Sequence, residues 1–124
     1  MKLKQVYIKP GGYFSSVINE WATTNNVETI EASLAEGFEE NIDGLVIFNQ
    51  NSDESKEILD IRKIFDKKLK PVHRIDINGT LMVGVSNFSL WLERNACGSV
   101  LFLGDDVLKE NANLSRYLES FKVQ

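Results

Sequence analysis

The sequence predicts a single α/β domain: a three-layer α-β-α stack of about five mostly parallel strands. Two observations carry this expectation. Short β-prone runs alternate with helical stripes along the whole chain, and two of those runs, residues 44–48 and 99–103, are apolar or glycine-led with no polar alternation. Alternation of this kind favours right-handed βαβ units with helices on both sheet faces. Strands without polar alternation are those buried on both sides.

The elements follow in order. Gln5-Val6-Tyr7-Ile8 reads as a strand stopped by Pro10-Gly11-Gly12. Phe14, Val17, Ile18 and Trp21 then fall at i, i+3, i+4 and i+7, one face of a helix. Residues 27–31 alternate, which suits a strand near an edge. Ser33 and Glu36 have capping-box spacing ahead of a short helix bearing Leu34, Phe38 and Ile42.

After the apolar strand at 44–48, Asn51 and Ser52 precede Asp53-Glu54, an oxygen cap followed by first-turn acids. The helix they announce carries Ile58, Ile61, Phe65 and Leu69, widened by Leu59 and Ile64. Lys67, Lys68 and Lys70 close it, where cations complement the dipole, so this basic run needs no partner. Pro71 ends the helix and residues 72–77 form a strand. Residues 78–86 admit two readings. Asn78-Gly79 between β-prone runs signals an antiparallel hairpin over 72–85, and a long loop fits as well. Ser86 or Asn87 then caps a helix with Phe88, Trp91 and Leu92 inside. Beyond the strand at 99–103, Val107, Leu108, Leu114, Tyr117, Leu118 and Phe121 fit one long helix, or a turn and a helix capped near Asn113.

This pattern resembles the flavodoxin-like and Rossmann-like architectures, and the resemblance is one of architecture only. The flavodoxin-like strand order, 2-1-3-4-5, puts the last apolar strand at an edge. That conflict calls for an extra strand at 80–83 or a partner subunit to cover it.

Length and charge narrow the class. At 124 residues, 43% hydrophobic and with two prolines, the chain has the composition of one globular domain. A net charge of −4 argues against nucleic acid and anionic membrane as partners. The single cysteine, Cys97, cannot form an internal disulfide, and no apolar run is long enough to span a bilayer or drive secretion. The expected location is the cytoplasm.

In open parallel sheets, ligands bind beyond the carboxyl ends of the strands. The candidate binding residues there are Lys9, Gly11, Gly12, Asn49, Asn51, Ser52, Asp76, Asn78 and Thr80. Gly11-Gly12 entering a helix could offer amides to an anion, helped by Lys9, Ser15 and Ser16, although glycines also serve plain turns. No Walker pattern or dinucleotide fingerprint is present, and the hydroxyl-rich phosphate loop of a flavodoxin is absent, so no cofactor is expected. A phospho-acceptor receiver needs acids where Lys9-Pro10 and Asn49 stand.

Asp76, Asp105 and Asp106 could gather around a divalent cation, or could be a solvated strand end and a cap on the last helix; no metal is expected. His73, the only histidine, reads as a hydrogen-bonded, partly buried side chain. Cys97 sits at a helix C-terminus, where the dipole raises a thiol pKa, the wrong end for a reactive thiolate.

Three functions follow as expectations. The first is a binding domain for a small anionic, nucleotide-like metabolite at the strand ends. The second is an interaction or self-assembly module, with a homodimer as its simplest form, resting on the apolar run at 81–85 and the last strand. The weakest is a carboxylate- or metal-dependent hydrolase or transferase using Asp76 or Asp105; non-enzymatic binding is favoured over catalysis.

Overall fold

A computed structural model describes residues 2–122. Five strands form one parallel sheet: β1 (Gln5–Ile8), β2 (Glu28–Glu31), β3 (Gly44–Asn49), β4 (Val72–Asp76) and β5 (Ser99–Gly104). Four α-helices flank it: α1 (Tyr13–Thr24), α2 (Lys56–Lys67), α3 (Leu81–Arg94) and α4 (Asn113–Ser120). The result is the three-layer, Rossmann-like α/β stack that the alternating pattern predicts.

The strand order is β2-β1-β5-β3-β4. This corrects the expected 2-1-3-4-5 order. Strand β5 inserts between β1 and β3, pairing Val6 with Val100 on one side and Leu45 with Leu101 on the other. Burial is the physical reason: the two apolar strands lie side by side at the centre, and no extra strand or subunit is needed to cover β5.

Two cores result. On one face Val6, Val46, Phe48, Val100 and Phe102 pack against α1, α3 and α4 through residues such as Ile18, Trp21, Phe88, Leu114 and Phe121. On the other, Leu45, Ile47, Leu101 and Leu103 pack against Ile58, Ile61 and Phe65 of α2.

Four local expectations are corrected. The hairpin at 72–85 does not form, and the alternative long loop shrinks to residues 77–80, because α3 starts at Leu81 instead of near Ser86 or Asn87. Leu81, Val85, Phe88 and Leu92 repeat at helical spacing and pack into the core, which outweighs the strand propensity of residues 80–83. Asn78-Gly79 makes the turn into this helix, with the Gly79 amide donating to the Asp76 carbonyl at 2.9 Å.

The capping box at Ser33 is also absent. Leu34 takes a left-handed φ of 58° and Gly37 one of 84°, so only a short 3-10 turn forms at Phe38–Asn41. Leu34, Phe38 and Ile42 nevertheless pack on the α2 face, as their spacing implied.

Helix α2 is capped by Ser55, whose hydroxyl accepts from the Ile58 amide at 3.4 Å. Asn51 and Ser52, expected as its cap, instead occupy left-handed positions in the preceding turn. Leu69, expected in the core, is 92% exposed, since α2 ends at Lys67 and the chain reverses at Leu69 with a φ of 58°. At the C-terminus the turn-plus-helix alternative is the one observed, with a 3-10 turn at Asp106–Glu110 before α4. Among the described residues, no helix is long and apolar enough to cross a membrane.

Candidate functional site

Because β5 lies between β1 and β3, the loop after it sits in the crevice where the strand order reverses. A cleft of about 360 Å³ opens there, bounded by Lys9–Gly12, the first turns of α1 and α2, and Gly104–Asp106. Gly11 and Gly12 both take positive φ, 81° and 86°, which lets the chain turn sharply from β1 into α1.

The acidic pair after β5 fills the anion-binding positions of this crevice. One Asp106 carboxylate oxygen accepts from the Tyr13 amide at 3.0 Å and the Phe14 amide at 3.4 Å. A Cβ on Gly12 would lie 3.0 Å from the same oxygen, so glycine there admits the carboxylate. Asp105 reaches the other way and accepts from the Ser55 amide, ahead of α2, at 2.9 Å. The pair thus holds the amides that open α1 and the amide of Ser55, the α2 cap; this corrects the expected cap on the last helix, because β5 lies at the centre of the sheet. The Lys9 ammonium pairs with Glu57, and the buried Ser15 hydroxyl donates to the Lys9 carbonyl.

The remaining candidates form a second group above β3 and β4. Asp76 accepts from the amides of Asn51 (3.1 Å) and Asn78 (2.9 Å). The Asn78 side chain donates to that of Asn51 at 3.2 Å and accepts from Asn111 and Asn113 at 2.8 and 3.2 Å. Asn111 also donates to Gln50 at 3.0 Å. Asn49 is buried, donating to Glu54 at 3.1 Å and accepting from the Ser52 amide at 3.2 Å. Thr80 stands at the α3 N-terminus without a capping side-chain bond.

The nine candidates therefore divide. Lys9, Gly11 and Gly12 line the cleft with Asp105 and Asp106. Asn49, Asn51, Ser52, Asp76 and Asn78 build a bonded network beside it, and Thr80 joins neither group. Asn111 and Asn113 were missed as network members because their sequence context reads only as a helix start, and Glu57 because it reads as a first-turn acid.

The three aspartates do not converge. Each is engaged by backbone amides, and among the described residues no group of three His, Cys, Asp or Glu side chains could hold a metal ion. His73 stacks on Phe88 and Trp91, ring centroids 5.8 and 5.3 Å away, where a hydrogen-bond partner was expected. Burial lowers its pKa. The Cys97 thiol is pushed up to about 11 by burial and then by the Asp43 carboxylate.

No protein-family model matches this chain, and no curated protein matches it. Among solved structures it is similar to a crystal structure called "Putative molybdenum carrier protein", from Syntrophus aciditrophicus SB. The TM-score is 0.69 over 97% of this chain and 95% of that one, at 10% sequence identity. At that identity the likeness is one of fold.

Proposed function

We propose that the protein is a small-molecule-binding domain whose ligand enters the strand-end cleft and presents an anionic, oxygen-rich group to the start of α1. The observation that carries this reading is the Asp106 carboxylate on the Tyr13 and Phe14 amides. A carboxylate of the chain itself already occupies a nest that suits an oxyanion, beside Gly11-Gly12 and Lys9. Cleft charge sharpens the reading. Lys9 faces Glu57, Asp105 and Asp106, so an anionic ligand must displace Asp106 to bind. Asp106 is exposed, at the start of the 3-10 turn Asp106–Glu110. The similarity in fold to a protein named for carrying molybdenum supports a carried small ligand.

Thermal-shift titration with phosphate, molybdate and AMP tests the reading, on wild type and on Asp106→Asn. The variant keeps the side chain's size but loses its charge. Stabilisation by at least one of these anions, stronger in the variant, is expected. Absence of any shift in both proteins would remove the reading.

The second reading, an interaction module, is favoured by the apolar outer side of α3, where Met82, Val83 and Leu90 are exposed. Light scattering across a concentration series tests it, and a monomer throughout counts against self-association.

A further inference from the structure

A different cleft, of about 390 Å³, lies on the α2 side of the sheet, between the 34–40 connection and the last turns of α2. Its apolar lining is Leu34, Phe38 and Ile64, and its charged lining includes Glu39, Lys67 and Lys68. Glu39 is anomalous: it is only 5% exposed, and its Oε2 is buried without a hydrogen-bond donor. A buried acceptor left unpaired is costly, and one on a carboxylate more so.

The nearby cations do not relieve it. The Lys70 ammonium is spent on the carbonyl oxygens of Glu39, Glu40 and Ile42, at 2.7, 3.4 and 2.7 Å. Among the described residues, neither Lys67 nor Lys68 forms an ion pair, and neither do Glu36 and Glu40 at the same cleft. The cleft therefore presents unpaired charges of both signs beside an apolar wall.

We propose that this cleft binds an apolar α-amino acid. The ammonium donates to Glu39, the carboxylate lies against Lys67 and Lys68, and the side chain packs on Leu34, Phe38 and Ile64. An unmet carboxylate oxygen calls for a donor, and a cationic donor satisfies it best. Lys67 and Lys68, themselves without ion pairs, call for an anionic group on the same ligand. The apolar wall supplies the third contact. The terminal torsion of a glutamate is soft, so a small rotation turns Oε2 toward the ligand.

The test is NMR titration of the full chain with L-phenylalanine, alongside phenethylamine and 3-phenylpropionate, which lack one charge each. Saturable shifts at residues 34–40 and 64–68 are expected. Each single-charge probe should bind roughly tenfold more weakly or worse, the loss of one charged contact. Glu39→Gln should remove the preference for L-phenylalanine over 3-phenylpropionate, and the double variant Lys67→Ala, Lys68→Ala its preference over phenethylamine. Glu39→Gln removes a buried charge, so it should fold at least as stably as wild type. No saturable shift at millimolar L-phenylalanine overturns the proposal. So do shifts confined to the strand-end loops, or equal affinity for all three probes. The strand-end reading stands or falls separately, on its own anions.

Discussion

Gly84, inside α3, lies directly against the ring of Tyr117: a Cβ at Gly84 would come within 2.7 Å of Cε1 and 2.8 Å of the phenol oxygen. Tyr117 cannot easily retreat. It is 2% exposed, and its hydroxyl donates to the Gly79 carbonyl at 3.2 Å. Glycine is thus the contact through which α3 and α4 approach each other, and it ties both to the turn after β4.

Gly84→Ala follows from this contact. In an open helix interior the change gains about 1 kcal/mol from helix propensity. Here the methyl group collides with a rigid ring, and overpacking costs ~1–3 kcal/mol. A net loss is expected in urea unfolding. A stabilised variant would mean that α4 gives way, and that the α3–α4 contact is loose.

Cys97 is expected to be inert. The thiol is buried, and its pKa of about 11 keeps it protonated near neutrality. Iodoacetamide at neutral pH should modify the native protein far more slowly than the denatured one. The raised pKa also fixes a sign in alkali. The folded thiol holds its proton while the unfolded one, near 9.0, loses it. The stabilisation is complete below the unfolded value and is lost as pH rises from about 9 towards about 11. Cys97→Ala should show a shallower alkaline fall. Equal slopes would place the thiol in a more solvated setting.

Strands β3 and β5 are legible because they lack polar alternation, and α1 and α2 because their stripes repeat at helical spacing. The position of β5 was not legible. Periodicity records which faces are buried, while neighbour order depends on how the crossovers pack. That one topological fact moved the site: with β5 at the centre, Asp105 and Asp106 accept from the amides of Ser55 and Tyr13, 50 and 93 residues earlier in the chain. The α3 start was misread because Asn78-Gly79 is a strong local hairpin signal, although Leu81, Val85 and Phe88 already carried the helical spacing. The cleft at Glu39 had no sequence signal, since an acid after Gly37 and Phe38 reads as solvated.

Lys70 offers a test of the connection that builds that cleft. Its ammonium gathers three carbonyls around the 3-10 turn at Phe38–Asn41. Lys70→Met keeps most of the stem and removes the donor. The expected loss is ~1–2 kcal/mol, since hydrogen bonds to charged groups are stronger than neutral ones but this side chain is part-exposed. Hydrogen exchange should quicken at Ile42, whose amide donates to the Glu39 carbonyl, more than at β3. Uniform acceleration across the sheet would instead mean that the turn unfolds only with the whole domain.

His73 sets an acid limit on stability whose sign is fixed by its surroundings. Packed between β4 and the rings of Phe88 and Trp91, its imidazole is held below the ordinary 6.5 by burial, which disfavours the charged form. The unfolded chain takes up a proton at this residue before the folded one does. Stability from this group is therefore complete above the unfolded value and falls as pH drops through it toward the folded value. His73→Phe keeps a ring in the stack and removes the titration. The informative quantity is the difference between wild type and variant, in which every group other than residue 73 cancels. Urea midpoints measured from above neutrality to mildly acidic pH should show the wild type losing ground to His73→Phe only as pH falls below about 6.5. A constant difference would show that the imidazole titrates alike in both states, and an opposite slope would require a nearby anion holding it charged.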